Sequence, residues 1–596
     1  MPQFSRQLLL THSGIFGNKL PDEGPYIRVV EKAKWAKIIA RLNHLTRTRS
    51  KYTPLQLFSD WFGRESAEMA NDIWDKLVSS YTEIGVNVSD LLVLNIWSNL
   101  TLYDKMLAAE MYDTPSLTNS ETELSVIKLY LSINEAAADR TDKITQLVTA
   151  ADYPYIVDRF ARIMIALLFP YHDINHFKAI ELLIVNFIKC YYCLQFLEGN
   201  YPDLLALFLA PYGVADWKGY LKGILPIAHL AAMPNDDSGL NYLSIRESRD
   251  KEKSRIFLDH LALVTEEEYK AKSDFVHARS HPLYKVDEDS YLIIDSVLAV
   301  NRLYNSMFFE LLRISEKDKS LNLHEGRFFS VFTFDFIEKH LSYSLLDMIY
   351  NNSGYFNISG SKISQQYGVD TEPDYYARKG NKVFLYEIKG SIVTGPSKQS
   401  FKYPEIEKEL KEKFLFDTTD NGNKAVKQLA ERIKILFTKS EKSIYDSEYD
   451  PRNIRIFPIL LVSEIMLTTP GINHLLNEWF QEEIQNDDVL RSARYRIHDL
   501  VILDLDTLIL FSKEFEKDIN LLKKLILDYN TSCSKEQIER LRKQKSGITP
   551  SQLEARIMST LVSFGQFIRD KMKPEVPDLF EGFGRDLFAD GRRKGA

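Results

Sequence analysis

TEPDYYARKGNKVFLYEIKGS, residues 371–391, reads as two short strands joined by a tight turn at Lys379-Gly380-Asn381. Side chains alternate along a strand. In the second strand Val383, Leu385, Glu387 and Lys389 therefore share one face, and Phe384, Tyr386 and Ile388 the other. Both faces begin apolar, so Glu387 and Lys389 fall where charge is costly to bury unless it is paired or binds something. Asp374, at the end of the neighbouring strand, is expected to approach Glu387 across the hairpin. Two adjacent carboxylates repel and raise each other's pKa. A hard divalent cation with oxygen ligands removes that penalty, and Mg2+ suits carboxylates combined with phosphate. Lys389 would then stand beside the metal, placed to orient or deprotonate a water. The competing reading is a plain ion pair of Glu387 and Lys389 on a solvated face.

Pro373-Asp374, a 12-residue spacer and Glu387-Ile388-Lys389 resemble the PD-(D/E)XK motif of the restriction-endonuclease-like superfamily. The resemblance covers roughly residues 325–465. It implies a core of helix, three-stranded meander, helix and strand. These map to the helix around Glu338, strands near 355, 374 and 385, the helix around Gln428, and the strand ILLV at 459–462. It further implies a metal-dependent nuclease that hydrolyses phosphodiester bonds, with DNA the expected substrate. Asp374, Glu387 and the backbone carbonyl of Ile388 would be ligands for Mg2+, with Mn2+ as a substitute. Lys389 would position or activate water. Glu338 would be the upstream helix acid, with Asp335 one turn earlier as its rival. Gln428 would support the site or contact phosphate.

Outward from this segment the chain divides by pattern. Residues 1–235 place apolar residues at helical spacing, as over 120–138 and 155–168, and are expected to form an all-α recognition, regulatory or assembly domain. Residues 236–320 read as a charged linker, a hairpin over 282–295 and a helix over 296–313. Residues 321–511 are the expected nuclease domain, with a helix over 327–350, strands over 355–358, 374–377, 382–389 and 454–462, a helix over 423–437, and a strand over 500–510. Residues 512–596 read as a helical C-terminal extension with a loose tail. The fold class expected is thus multi-domain, an all-α N-terminal part followed by an α/β restriction-endonuclease-like domain.

Composition bounds the function. With 45% hydrophobic, 12% aromatic and 27% charged residues, the 596-residue chain is neither disordered nor fibrous. Its net charge of -8 excludes a broadly basic nucleic-acid binder, so attraction to phosphate must be local. Residues 361–440 hold 15 Lys/Arg against 11 Asp/Glu, and residues 1–51 hold 10 against 3. Lys398 and Lys402 are expected to touch a substrate backbone, while EIEKELKEKF beside them reads as an exposed helix with internal ion pairs. Three cysteines, Cys190, Cys193 and Cys533, fit a reducing cytoplasm. The first residues lack the pattern of a secretion signal. The apolar stretch 181–197 carries Glu181, Asn186 and Lys189, and is expected to be a buried helix rather than a membrane span.

Other signals carry less. Cys190 and Cys193 have CxxC spacing without a second pair. His172 and His176 lack a third ligand nearby in sequence. GSIVTGPSK, residues 390–398, has Pro396 where a phosphate-binding loop needs Lys. The expected partners are nucleic acid, a second copy of the chain or another protein met through the helical half, and no membrane. A nuclease joined to a large helical module resembles bacterial anti-phage and restriction systems. The rivals are a nucleic-acid-binding or scaffold protein with a decayed site, an RNA nuclease of the same fold, and a helical interaction protein whose α/β half is only structural.

Overall fold

The hairpin forms where the sequence places it, and a mixed five-stranded sheet grows around it. Its strands are Phe356–Ser359 (β1), Tyr375–Lys379 (β2), Lys382–Lys389 (β3), Arg455–Val462 (β4) and Val501–Asp504 (β5), in the order β5-β4-β3-β2-β1. Lys379 faces Lys382 across the turn, and Gly380 between them takes φ 58°, a left-handed value that favours glycine. β1, β2 and β3 form an antiparallel meander. β4 runs parallel along all of β3, from Arg455 opposite Lys382 to Val462 opposite Lys389, and β5 joins it in parallel. Parallel neighbours need a crossover. Here the helices Tyr403–Phe414 and Ala425–Thr438 lie between β3 and β4. The computed structural model describes residues 8–48, 51–110, 117–149, 151–175, 178–234, 238–263, 273–351, 353–368, 373–391, 393–417, 422–438, 445–534 and 550–589.

Alternation in β3 sorts its side chains into two cores. Val383 and Leu385 pack with Ile456 and Leu460 and with Val426, Leu429 and Ile433 of the helix Ala425–Thr438. Phe384, Tyr386 and Ile388 pack with Phe457, Ile459 and Leu461 on the opposite side, where the Phe384 and Phe457 rings stack at 4.8 Å. Both faces of the sheet are therefore covered, as the nearly unbroken apolar run of β4 requires.

Several expectations are corrected. The segment 500–510 is not one strand. Asp504 ends β5, accepts the Thr507 N–H and caps the helix Leu505–Leu510. The helix over 296–313 is two, Ser296–Asn301 and Asn305–Lys317, broken at Tyr304, whose φ of -133° is not helical; beside the break Arg302 forms a buried pair with Glu310, which also accepts from the Tyr212 hydroxyl at 2.9 Å. The run EIEKELKEKF is not simply exposed. Ile406, Leu410 and Phe414 are buried, although the ion pairs Glu407–Lys411 and Glu409–Lys413 are present. Within the helix expected over 327–350, Val331–Ser342 is wound as a π-helix, a rare geometry.

The cores do not follow a division at residue 235. One core joins residues from Leu10 to Ile133 with Leu292, Ile294 and Leu298. Another joins the helix Ala179–Asn200 to Phe336, Leu345, Leu508, Leu525 and Phe564. The charges in that helix explain themselves there, since buried Lys189 reaches Asp506 at 2.8 Å. Ala179–Asn200 is long and apolar enough to cross a membrane, yet 78% of its apolar window is buried in protein. Cys190 and Cys193 lie on it, fully buried, and burial pushes both thiols up. His172 bonds Thr468 at 2.9 Å, and His176 lies outside the described residues.

β2 is tied down by Arg378, whose Nη2 donates to Asp446 Oδ1 at 2.8 Å, while the Tyr376 hydroxyl donates to Oδ2 at 2.8 Å. Arg378 and Asp446 are both buried. Arg378→Ala leaves the carboxylate without its cation and is expected to cost about 3–5 kcal/mol. Urea unfolding measures this as a lower midpoint at constant slope; an unchanged midpoint would contradict it.

Candidate active site

The pairing of Tyr375 with Tyr386 places Asp374, just before β2, beside Glu387 on β3. Asp374 Oδ2 accepts the Ile388 N–H at 2.6 Å, which fixes the carboxylate across the hairpin. The approach is tight. The Gly360 N–H donates to the Asp374 carbonyl at 2.8 Å, and a Cβ on Gly360 would stand 2.7 Å from the Pro373 carbonyl oxygen. Glu387 is 0% exposed. Its Oε1 is 2.8 Å from Lys389 Nζ. Its Oε2 pairs with the guanidinium of Arg432, which also lies 3.7 Å from Asp374 Oδ1.

Arg432 comes from the helix Ala425–Thr438, one turn after Gln428. The two share a helix face at i,i+4 spacing. Gln428 has its side-chain oxygen buried with no hydrogen-bond partner among the described residues. The sequence proposes Gln428 on this helix and does not single out Arg432. The i,i+4 spacing in KQLAER was the signal that could have found it, since a helix packed over Glu387 presents both.

Glu338 reaches the same cluster from the π-helix. Burial pushes its carboxyl up to about 8, and the charge of Asp374 adds to this against Lys389, Lys339 and Arg432. The carboxyl is thus within electrostatic reach of Asp374, and its burial favours the protonated form. Asp335 turns away and pairs with Lys339 at 3.5 Å. Tyr343, which begins the next helix, is a further neighbour. Burial, then Glu338 and Asp374, push its phenol up. The close fit behind Lys389 is made at Gly390, where a Cβ would meet Thr333 Cα and Cβ at 2.9 Å.

Asp374, Glu387 and Glu338 supply hard oxygen donors of the type Mg2+ takes. In this structure the charges of Asp374 and Glu387 are balanced by Lys389 and Arg432, and a cation would enter by displacing the Arg432 guanidinium. The carboxylate donors are more widely spread than in a closed site. Among the described residues, the one group of three His, Cys, Asp or Glu ligand atoms within 4.8 Å of one another is Asp158, His474 and Glu478. That group is already partnered, His474 to Asp158 at 2.8 Å and Glu478 to Arg162 at 2.9 Å. Ile388, expected to offer its carbonyl, contributes its N–H to Asp374.

A groove of about 530 Å3 opens beside the cluster, lined by Lys389, Ser391, Ser397, Lys408, Lys413 and Lys424, with Glu405, Glu409 and Glu412 on its walls. Lys398 does not belong to it. This side chain is 4% exposed and held by Asp173 and Asp274 at 3.0 and 2.9 Å, so it has no reach to a substrate backbone. Lys402 is exposed and pairs with Glu405 at 2.9 Å. Several N-terminal cations are likewise committed, among them Arg47 to Asp295 and Lys19 to Asp139. The chain matches no family model, no curated protein and no solved structure.

Arg432→Ala removes the cation between two carboxylates and is expected to lower stability in EDTA by about 3–5 kcal/mol. Millimolar Mg2+ should restore part of that loss, as binding to the folded state alone does. Thermal unfolding with and without Mg2+ measures both effects. A variant as stable as the wild type in EDTA would contradict the pairing.

Proposed function

We propose that the protein is a metal-dependent phosphodiesterase of the PD-(D/E)XK type that hydrolyses DNA. The observation that carries this reading is Glu387, a fully buried carboxylate with Asp374 at the adjoining strand end and Lys389 at 2.8 Å. The order of helix, three-stranded meander, helix and parallel strand around it supports the resemblance found in the sequence. Asp374 and Glu387 would hold the cation, with Glu338 completing its surroundings directly or through water. Bound there, Mg2+ or Mn2+ supplies Lewis-acid stabilisation of the phosphoryl oxygens. Lys389 orients the attacking water and offsets charge on the phosphate. Gln428, whose side-chain oxygen has no hydrogen-bond partner among the described residues, would steady the water or the metal's surroundings. A nuclease carried on a large helical assembly suits a role in defence against invading DNA, by analogy alone.

A second reading has a specific observation behind it. Arg432 pairs with Glu387 and stands close to Asp374, which is how a site that has given up its metal would look. The protein would then bind nucleic acid without cutting it.

Plasmid cleavage in Mg2+, Mn2+ or EDTA, beside Asp374→Ala and Lys389→Ala, decides between them. The expected outcome is metal-dependent cutting that each substitution lowers by about 10²–10⁴-fold. DNA binding without cutting, unchanged by Glu387→Ala, would establish the second reading. Cutting that survives both substitutions would sink the first. Parallel digestion of RNA identifies the nucleic acid.

A further inference from the structure

A second cavity, of about 580 Å3, lies where the helices of residues 296–332 meet the end of β4. Its size is that of a small-molecule site, and it sits at a junction of segments distant in sequence. One wall is aromatic, built from Tyr304, Phe308, Phe309, Phe329 and Phe332. Phe308 and Phe332 touch at 4.5 Å, and Phe309 is 57% exposed.

The polar lining says what does not belong inside. Lys189 is paired with Asp506, and Arg279 and Lys398 are both paired with Asp173 and Asp274. A phosphate placed here would have to break one of these buried pairs. Glu464 differs. Burial is the first cause of a carboxyl pushed up to about 7, with the nearby Lys398 opposing it. Near neutral pH it serves as hydrogen-bond donor or acceptor. The cavity thus offers flat apolar faces and an edge that both gives and accepts hydrogen bonds, and among the described residues its cations are committed, Lys413 at its mouth being paired with Glu409 at 3.6 Å. That suits a planar heteroaromatic ring better than a phosphate, a sugar or an acyl chain.

The cavity adjoins the groove beside the candidate active site. Thr394 and Lys413 line both. Ser463, in the cavity wall, donates its N–H to the Lys389 carbonyl at 3.2 Å. A ring in the cavity and a phosphate in the groove would stand on either side of Thr394 and Lys413.

We propose that this cavity receives a nucleobase turned out of a nucleic-acid strand whose phosphates lie in the Lys389 groove. Aromatic stacking supplies affinity that tolerates different bases, and Glu464 reads the hydrogen-bonding edge. The placement of the phosphate rests on the phosphodiesterase reading above; the recognition of the base rests on the cavity alone.

The test uses the full-length protein in EDTA, titrated separately with adenosine, guanosine, cytidine and thymidine and read by saturation-transfer NMR. At least one nucleoside should bind. Phe309→Ala, which removes an exposed wall, should weaken it by about tenfold or more. Leu312→Trp, which fills the cavity from a half-buried position, should abolish it. Absence of binding by all four nucleosides, or binding unmoved by both substitutions, would overturn the proposal. Plasmid cleavage keeps the two readings apart. Nucleoside binding that responds to both substitutions, without cleavage, upholds the base pocket and removes the phosphodiesterase. Cleavage without nucleoside binding does the reverse.

Discussion

The Glu387 carboxylate has no exposed surface, and much of the surrounding architecture answers to that one desolvated charge. Moving such an ion out of water costs several kcal/mol even after relaxation. The chain meets the cost with two cations from different sources. Lys389 comes from the same face of the same strand, two residues on, and Arg432 comes from the helix that crosses from β3 to β4. The crossover helix must therefore sit in one register over β3. Asp374 is then drawn to the same place, held by the Ile388 N–H. Glu338 lies within reach of the same charges, and its burial, with the charge of Asp374 adding to it, favours the protonated carboxyl. A cluster balanced in this way is poised between a structural ion-pair network and a metal site, because a divalent cation and an arginine compete for the same oxygens.

Similar pairs fix the rest of the molecule. Arg47–Asp295, Lys189–Asp506, Arg162–Glu478 and Lys398 with Asp173 and Asp274 each join segments more than a hundred residues apart, and each is wholly or partly buried. Hydrophobic packing alone would tolerate small slides of helix on helix. A buried ion pair does not, since breaking it strands a charge. Two of them, Lys189–Asp506 and Lys398 with Asp173 and Asp274, stand in the lining of the aromatic cavity. The cavity and the groove are then two sides of one wall, made by the chain that leaves β3 through Gly390 and Thr394.

The π-helix Val331–Ser342 belongs to the same logic. It packs close on Gly390, where there is no room for a Cβ. It sends Glu338 toward Asp374 while Asp335, three residues earlier, pairs with Lys339 at the surface. On an α-helix two residues three apart share a face. The wider winding lets them part, which is how one acid reaches the cluster and the other stays outside it.

The sequence by itself determined the hairpin, its faces and the core of the site. Gly380 requires a turn, alternation puts Glu387 and Lys389 on one face, and strand pairing brings Asp374 to Glu387. These follow from local geometry and a short separation along the chain. Local rules also favoured Glu338 and Gln428, through the helices on either side of the meander. Only the tertiary structure decided what reaches across. Arg432 at Glu387, Asp173 and Asp274 at Lys398, and Asp506 at Lys189 are partners chosen by packing between distant elements, and no periodicity in a single segment encodes them. The end of β5 at Asp504 shows the same limit at small scale. Eleven apolar-rich residues from 500 to 510 read alike as strand or helix, and one side-chain cap to Thr507 settles which begins where.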